Sequence, residues 1–536
     1  MFTQIKTISA SIRPIVFLVP MVVLVATVVA SLTNLERFLT VANRINHWIL
    51  DTFTSAFAIG TFGLVVSCIW VFASPLGKIR IGGSNATPLL SRWNWFAITL
   101  CTTVAIGILF WATAEPMFHA YSPGKAGIQP GSDAAEEFAM VSMFMHWSFT
   151  PYAIYALPAL TFSLAHYNFN QPYSLSGPIA VLIGRPVPKV LSDIIDATAL
   201  LALVAGLASS LGTGMLSLSG GVGNFIDIST SPLILAIIGS LIVTAFVISS
   251  VTGLQKGIRI LSDINTKFFF AFAAFVLLAG PTLDLLMIGA KAFLGYLSEF
   301  FSRSLLVGDT TQPDWAKSWT IFYWANWLAW APMTAVFLGR IARGYTVREF
   351  ITVNFFLPAL FSMIWITIFG GLSIEVNHSE NEILKSTLDT DGPEAVLYTV
   401  IDYLPFTQVL AVILLLLSFV SYVTAADSNT DAIATICQKD SHQKDNHQKD
   451  NHPKDDRHEQ PGHSLTIKVV WAVMIGTSAW IMTAFSGVDG IRALSNLGGL
   501  PALVIVLIFN VALITMSTKH LKTLKNAEKK AATTME

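Results

Sequence analysis

Long apolar runs separated by short polar segments dominate the chain. A helix needs roughly 20 mostly apolar residues to cross a hydrocarbon core about 30 Å thick. Twelve stretches reach that length, near residues 14–34, 53–73, 94–115, 139–165, 196–218, 232–253, 268–290, 319–339, 350–372, 405–426, 466–486 and 497–516. The first is too long for a cleaved signal core, and no small-residue cleavage pattern follows it. The pattern therefore predicts an all-α polytopic membrane protein with 12 transmembrane helices.

Two segments break this pattern. Phe293, Tyr296, Leu297, Phe300, Phe301 and Leu305 recur at helical spacing among polar residues. Such a helix either lies in the membrane interface or packs over the bundle, and both readings stand. Residues 438–456 repeat Gln-Lys-Asp-Ser/Asn-His three times, with His442, His447 and His452. Low complexity of this kind reads as a solvated loop rather than a metal site. The expected organisation is a short N-terminus over 1–13 and a membrane domain over 14–516. A His-containing loop at 437–465 interrupts that domain, and a basic tail follows over 517–536.

Composition agrees with a membrane setting. Apolar residues make up 53% and charged residues 12%, about half the charge of a soluble protein. Too little polar surface remains for a soluble enzyme, a nucleic-acid binder or a disordered scaffold. Cys68, Cys101 and Cys437 are too few and too scattered for a disulfide framework or a paired-thiol metal motif. Most lysines and arginines fall in alternate loops, and the opposite loop at 375–402 is acidic, with Glu375, Glu380, Glu382, Asp389, Asp391 and Glu394. By the positive-inside rule, both termini are expected in the cytoplasm of a bacterial-type inner membrane. Lys519, Lys522, Lys525, Lys529 and Lys530 could meet anionic lipid there.

A lipid-facing bundle accounts for leucines but not for clustered tryptophans. Trp319, Trp324, Trp327 and Trp330 crowd one span, and His146, Trp147, Tyr152 and Tyr155 crowd another. Trp315 and Trp319 stand at a span entrance, where aromatic belts occur. Trp327 and Trp330 lie two to three turns deeper, where a ligand role explains them better. Aromatic faces attract cations at about 2 kcal/mol per ring once water is excluded. A quaternary ammonium suits such a cage because its methyl groups leave no hydrogen-bond donors to satisfy.

Helix-breaking residues accompany the aromatics. Thr103-Val-Ala105-Ile-Gly107 lies mid-span, and Gly206, Gly212 and Gly214 punctuate the fifth span. Irregular backbone at membrane depth is tolerated where it lines a cavity, and broken helices aim free amides at anions. Ionisable groups inside a span cost roughly 2.5–3.5 kcal/mol each. Glu115 and Asp427 are candidates for ion coupling or gating, or are helix-end groups; Asp193 and Asp196 suit a helix N-terminus. His458-Glu459 lacks a second histidine at metalloprotease spacing. No nucleotide motif is present, so neither a cofactor nor an enzyme activity is expected.

Four ordered segments carry a resemblance. They are Gly77-Lys-Ile-Arg-Ile-Gly82, Leu109-Phe-Trp-Ala-Thr-Ala-Glu115-Pro116, Trp319 through Pro332 continuing to Gly339-Arg340-Ile-Ala-Arg343-Gly344, and Thr424-Ala-Ala-Asp427-Ser428. These segments resemble the betaine/carnitine/choline transporter family over nearly the whole chain. The resemblance implies two lead helices and a LeuT-type five-plus-five inverted repeat, spans 3–7 and 8–12. It implies a homotrimer that imports a small onium zwitterion by alternating access, such as glycine betaine, choline, carnitine or dimethylsulfoniopropionate. The carried-over aromatic box is Trp147, Tyr152, Tyr155 and Trp327, with Trp330 and Trp324 along the pathway and the substrate carboxylate near Ala105 and Gly107.

The chain departs from the family pattern at several points. Tyr152 and Asn326 stand where many members have tryptophan. Sodium-dependent members carry Gly-Met-Gly-Ile-Gly where this chain reads Thr103 to Gly107. A Thr-Ser sodium pair reads Thr424-Ala425 here, and a second site's threonines read Leu203 and Leu207. Proton coupling or substrate/product exchange therefore gains weight beside sodium. An onium-gated channel or receptor is the more distant alternative.

Overall fold

Prolines and glycines decide where the apolar runs stop being one helix. The computed structural model describes residues 12–104, 107–226, 230–251, 254–308, 311–438 and 461–535. The main helices are α1 (Pro14–Thr33), α2 (Leu35–Ala73), α3 (Arg92–Val104), α4 (Gly107–Tyr121), α5 (Asp133–Trp147), α6 (Phe149–Tyr167) and α7 (Lys189–Ile226). They continue as α8 (Pro232–Val251), α9 (Leu254–Ala279), α10 (Thr282–Leu305), α11 (Phe322–Ile341), α12 (Leu357–Ser379), α13 (Thr407–Cys437) and α14 (Pro461–Met535). Among the described residues there is no strand, only two isolated bridges. Among the described residues, nine helices are long and apolar enough to cross a membrane, ten if the bent α3–α4 pair counts as one span. α14 is two helices joined at Gly487, whose φ of 52° and ψ of −135° interrupt the helical path. The repeat at 439–460 lies outside the described residues.

One boundary that departs from the sequence pattern lies between α9 and α10. The stretch at 268–290 straddles the gap between α9 and α10, which falls at Gly280-Pro281. Proline lacks the N–H that would continue the helix, so the preceding helix ends at Ala279. Hydropathy alone averages across such a break. α10 then packs along α5 and α12, with Tyr296 buried against Phe144 and accepting a 3.0 Å bond from Ser148 Oγ. Leu294, Leu297 and Phe301 stay outward. The helix packs over the bundle and still presents an apolar outer face.

α11 occupies the centre, packed against α6, α7 and α14. Gly498 and Gly499 allow the closest approach: a Cβ on Gly499 would stand 2.6 Å from the Cα of Ala325. Without a hydrophobic driving force between helices in lipid, small residues at such contacts supply the packing energy.

Two of the sequence motifs meet in space. Ile81 N–H donates to the Tyr345 carbonyl and Gly344 N–H to the Ile81 carbonyl, each at 2.9 Å, so the link after α2 pairs with the link after α11. Gly344 has φ +87°, and a Cβ there would lie 2.2 Å from the Thr87 backbone. The tight junction tolerates only glycine at that point.

The start of α1 is held by charge. Arg13 donates to Asp193 from Nε at 2.9 Å and pairs with Asp196 at 2.7 Å, while its backbone N–H bonds the Cys437 carbonyl at 2.9 Å. Asp196 also receives Ser174 Oγ at 2.9 Å and Leu175 N–H at 3.1 Å. Breaking a buried pair leaves an uncompensated charge and costs about 3–5 kcal/mol. Arg13→Ala should therefore lower the thermal midpoint of the purified protein substantially, and adding Asp196→Asn should recover part of the loss. A double variant no better than Arg13→Ala would contradict the pairing.

Candidate functional site

The site forms where two helices break beside α11. α3 and α4 are bent by 50° across their break, and Ala105 lies outside the described residues. α5 and α6 break at Ser148, with φ −113° and ψ −118°. Pro151 explains that break, because it cannot donate to the Trp147 carbonyl one turn back. The first break puts the N-terminus of α4 next to Trp147. A Cβ on Gly107 would stand 3.0 Å from Trp147 Cη2, so this glycine makes room for the indole.

Three rings surround Trp327. Trp147 approaches at 5.5 Å between centroids and 84°, Tyr155 at 5.4 Å and 72°, and Tyr152 at 6.0 Å and 53°. All four residues are buried. Trp147 and Tyr155 stand near-perpendicular to Trp327 and form a corner with it, whereas Tyr152 is tilted and does not line the cavity that they share. Tyr152 is held from behind by a 2.7 Å hydrogen bond between its hydroxyl and that of Ser362. A cavity of about 40 Å³, comparable to a few waters, lies beside the rings. Trp147, Tyr155, Trp327, Trp330 and Gly107 line it, together with Thr102, Thr103, Ser209, Ser210, Thr213 and Asn326. The lining therefore combines aromatic rings with hydroxyls and an amide.

Other candidates sit nearby or elsewhere. Trp330 reaches the cavity over Gly206, where a Cβ would lie 2.7 Å from its Cδ1. Trp324 is fully buried on the same helix and does not line the cavity; its three-residue step from Trp327 turns it about 60° off that face. Thr424 spends its hydroxyl on the Val420 carbonyl at 2.7 Å. Asp427 accepts a 2.8 Å bond from Ser249 Oγ. Neither residue lines the cavity. Glu115 is fully buried and accepts from Trp147 Nε1 at 2.9 Å, which ties it directly to the cage.

Sequence reasoning missed several partners. Tyr323 donates to Glu115 Oε2, and Thr320 meets His146 at 3.1 Å. A five-residue π-helical turn, Lys317–Ile321, precedes α11 and widens the helix there. Ser495 donates to Asn326 Oδ1 at 2.9 Å and meets Ser209 at 2.8 Å, joining α14, α11 and α7 at the cavity. Nothing in the linear sequence signals that serine pair. Tyr323 could have been found, since it stands four residues before Trp327 on one helix face.

Homology decides the class of the chain. The family model for the betaine/carnitine/choline family of transporters matches residues 15–522. The chain belongs to that family. Among its relatives, an ectoine/hydroxyectoine transporter of Virgibacillus pantothenticus is 28% identical over 96% of this chain and 97% of its own length. Glycine betaine transporter 1 of Vibrio parahaemolyticus is 32% identical over 72% of this chain and 74% of its own. The solved structure of a Na+-coupled sialic acid symporter aligns over 85% of this chain and 86% of its own, at TM-score 0.47 and 13% identity. As a member of the betaine/carnitine/choline family, the protein is a multi-pass bacterial-type membrane transporter and not an enzyme.

The glycine at the start of α4 yields a prediction. Gly107→Val should displace the Trp147 indole, since its branched side chain adds atoms beyond a Cβ already in contact. Overpacking costs about 1–3 kcal/mol, so the variant should fold with a lowered midpoint and an apparent KM for substrate raised about tenfold. Uptake kinetics normalised to surface abundance would check this.

Proposed function

We propose that the protein imports a betaine-like onium zwitterion by alternating access. The onium group sits among Trp147, Tyr152, Tyr155 and Trp327, and Trp330 lines the way in. The carboxylate lies toward the N-terminus of α4 at Gly107, where free amides and the helix dipole favour an anion. The contact of three separate rings with Trp327, beside a broken helix, is the observation that carries this reading. A cation at the rings and an anion at a helix start match the two ends of a betaine.

Twelve spans follow if α5 and α6 form one crossing, α14 forms two, α11 forms one, and α10 lies along the interface. Both termini are then cytoplasmic. The arrangement is a five-plus-five repeat after α1 and α2, and the outward apolar faces of α2 and α10 suit a homotrimer within the bilayer. A proton or sodium gradient drives accumulation: one charge moved inward across 100 mV supplies about 2.3 kcal/mol. Substrate/product exchange is the second reading, favoured by Ala425, which supplies no hydroxyl where a sodium ligand would be needed.

The test is uptake of labelled glycine betaine, choline, carnitine, dimethylsulfoniopropionate and ectoine by a transporter-deficient strain. Sodium is replaced by potassium, with and without a protonophore. Saturable uptake of one onium compound supports the proposal, and failure of all of them contradicts it. Uptake that needs preloaded vesicles and no ion gradient would favour exchange.

A further inference from the structure

Beside the cage, four donors converge on one buried carboxylate. Glu115 Oε1 lies 2.9 Å from His119 Nε2 and 2.6 Å from His146 Nδ1. Oε2 accepts from Trp147 Nε1 at 2.9 Å and from the Tyr323 hydroxyl. Glu115, His119 and His146 have no exposed surface. With both imidazoles as donors, Glu115 accepts all four bonds as a carboxylate. Each imidazole thus commits one N–H to the same oxygen.

The two histidines differ at their second nitrogen. His146 Nε2 meets Thr320 Oγ1 at 3.1 Å. His119 Nδ1 is buried and has no hydrogen-bond partner among the described residues. It lies beside the rings of Trp315 and Trp319, with centroids 4.9 and 4.5 Å from its own. With Nε2–H donated to Glu115, a neutral His119 carries a bare lone pair at Nδ1, the position where one more proton would add.

The charged and titratable groups around the cluster come from α4, α5, α11 and α14, with an ion pair from α2 and the π-helical turn at its edge. α4 supplies Glu115 and His119, α5 supplies His146 and α11 supplies Tyr323. α14 supplies Arg492, whose guanidinium lies 4.2 Å over the Trp319 ring and 3.7 Å from the exposed Asp489. Lys317 and Asp51, paired at 2.6 Å, lie at the more exposed end near Trp319.

We propose that this cluster is a second cation site, taking a proton at His119 Nδ1, and that this proton and the substrate's onium group compete for the Glu115 carboxylate across the Trp147 indole. The inference rests on the cage reading given above. A carboxylate accepting the indole N–H polarises the ring and strengthens the negative face that a cation meets. Adding the proton turns Glu115 and His119 into a pair without net charge. It withdraws that polarisation and puts positive charge beside the cage, so both effects weaken onium binding. By linkage, onium binding must weaken proton binding by the same factor. Such a proton is displaced by substrate and cannot be the one carried along with it.

The experiment is substrate binding by the full-length protein in nanodiscs, followed by tryptophan fluorescence with glycine betaine, choline, carnitine and dimethylsulfoniopropionate between pH 4 and 8.5. Affinity should fall about tenfold or more from the alkaline to the acid end. His119→Gln keeps an N–H for Glu115 but has no nitrogen to protonate, and its affinity should be the same at both ends. A second readout needs no variant: onium addition to weakly buffered wild-type protein, within the pH range where affinity changes, should release protons, seen with an indicator dye. A flat wild-type profile, tighter binding in acid, no proton release, or a His119→Gln profile like wild type would overturn the proposal. Wild type that binds none of glycine betaine, choline, carnitine and dimethylsulfoniopropionate at any pH refutes the cage itself. Binding with a flat profile refutes only the proton site.

Discussion

Trp327→Ala should raise the KM for a trimethylammonium substrate about 30-fold. Loss of one well-placed ring removes about 2 kcal/mol of cation attraction, and each 1.4 kcal/mol is a factor of ten. Trp327 is the ring that Trp147, Tyr152 and Tyr155 all touch, at 5.4 to 6.0 Å. Its removal therefore opens the corner as well as deleting a wall. A Trp-to-Ala change in a packed interior also costs about 3–5 kcal/mol of stability. Trp327→Phe separates the two effects, since it keeps an aromatic face with less volume lost. That variant should show a several-fold rise in KM at near-normal abundance. The check is uptake kinetics together with surface quantification and a thermal midpoint. Equal KM values for all three proteins would remove Trp327 from the binding role.

Glu115→Ala should be the most damaging single substitution near the site. It strips the acceptor from His119, His146, Trp147 and Tyr323 at once. Each buried donor left unsatisfied costs about 1–3 kcal/mol, against a total stability of about 5–15 kcal/mol typical of folded domains. The variant should yield little folded protein. Glu115→Gln retains a carbonyl oxygen for two donors but turns an amide N–H₂ toward the other two. Its midpoint should fall by an intermediate amount, and Trp147 should lose its fixed orientation. Size-exclusion profiles and thermal denaturation in detergent would show the order wild type, then Gln, then Ala. An Ala variant with the wild-type midpoint would mean that the four contacts contribute little.

The membrane class and most helix positions were legible because they rest on run length, which survives any detail of packing. The gap at Gly280-Pro281 was not, since an apolar window averages over a break that one proline decides. Trp147, Tyr152, Tyr155 and Trp327 were legible as a group through the family resemblance, and their rings do meet. The break at Thr103 to Gly107 was legible from a glycine beside an irregular, apolar run. The steric reason for Gly107 was not, because it depends on an indole 40 positions further along.

The polar half of the site was the least legible. Ser209 and Ser495 are ordinary small residues on their own helices, and only the packing of α7 against α14 joins them. Glu115 read equally well as a helix-end group. Four converging donors, from α4, α5 and α11, give it a different character. Hydrogen-bond convergence is a property of three-dimensional contact, and no spacing rule within one helix could supply it.

Charge, rather than shape, is what the aromatic corner should recognise. Glycine betaine and tert-butylacetate share one shape and differ in whether the centre of the three methyl groups is a cationic nitrogen or a neutral carbon. Binding of each to the purified protein, measured by tryptophan fluorescence with choline and its carbon isostere as a second pair, isolates that difference. The onium member of a transported pair should bind at least about 100-fold more tightly, as expected when two or more rings each contribute about 2 kcal/mol against desolvation. Equal affinity within such a pair would contradict the cage.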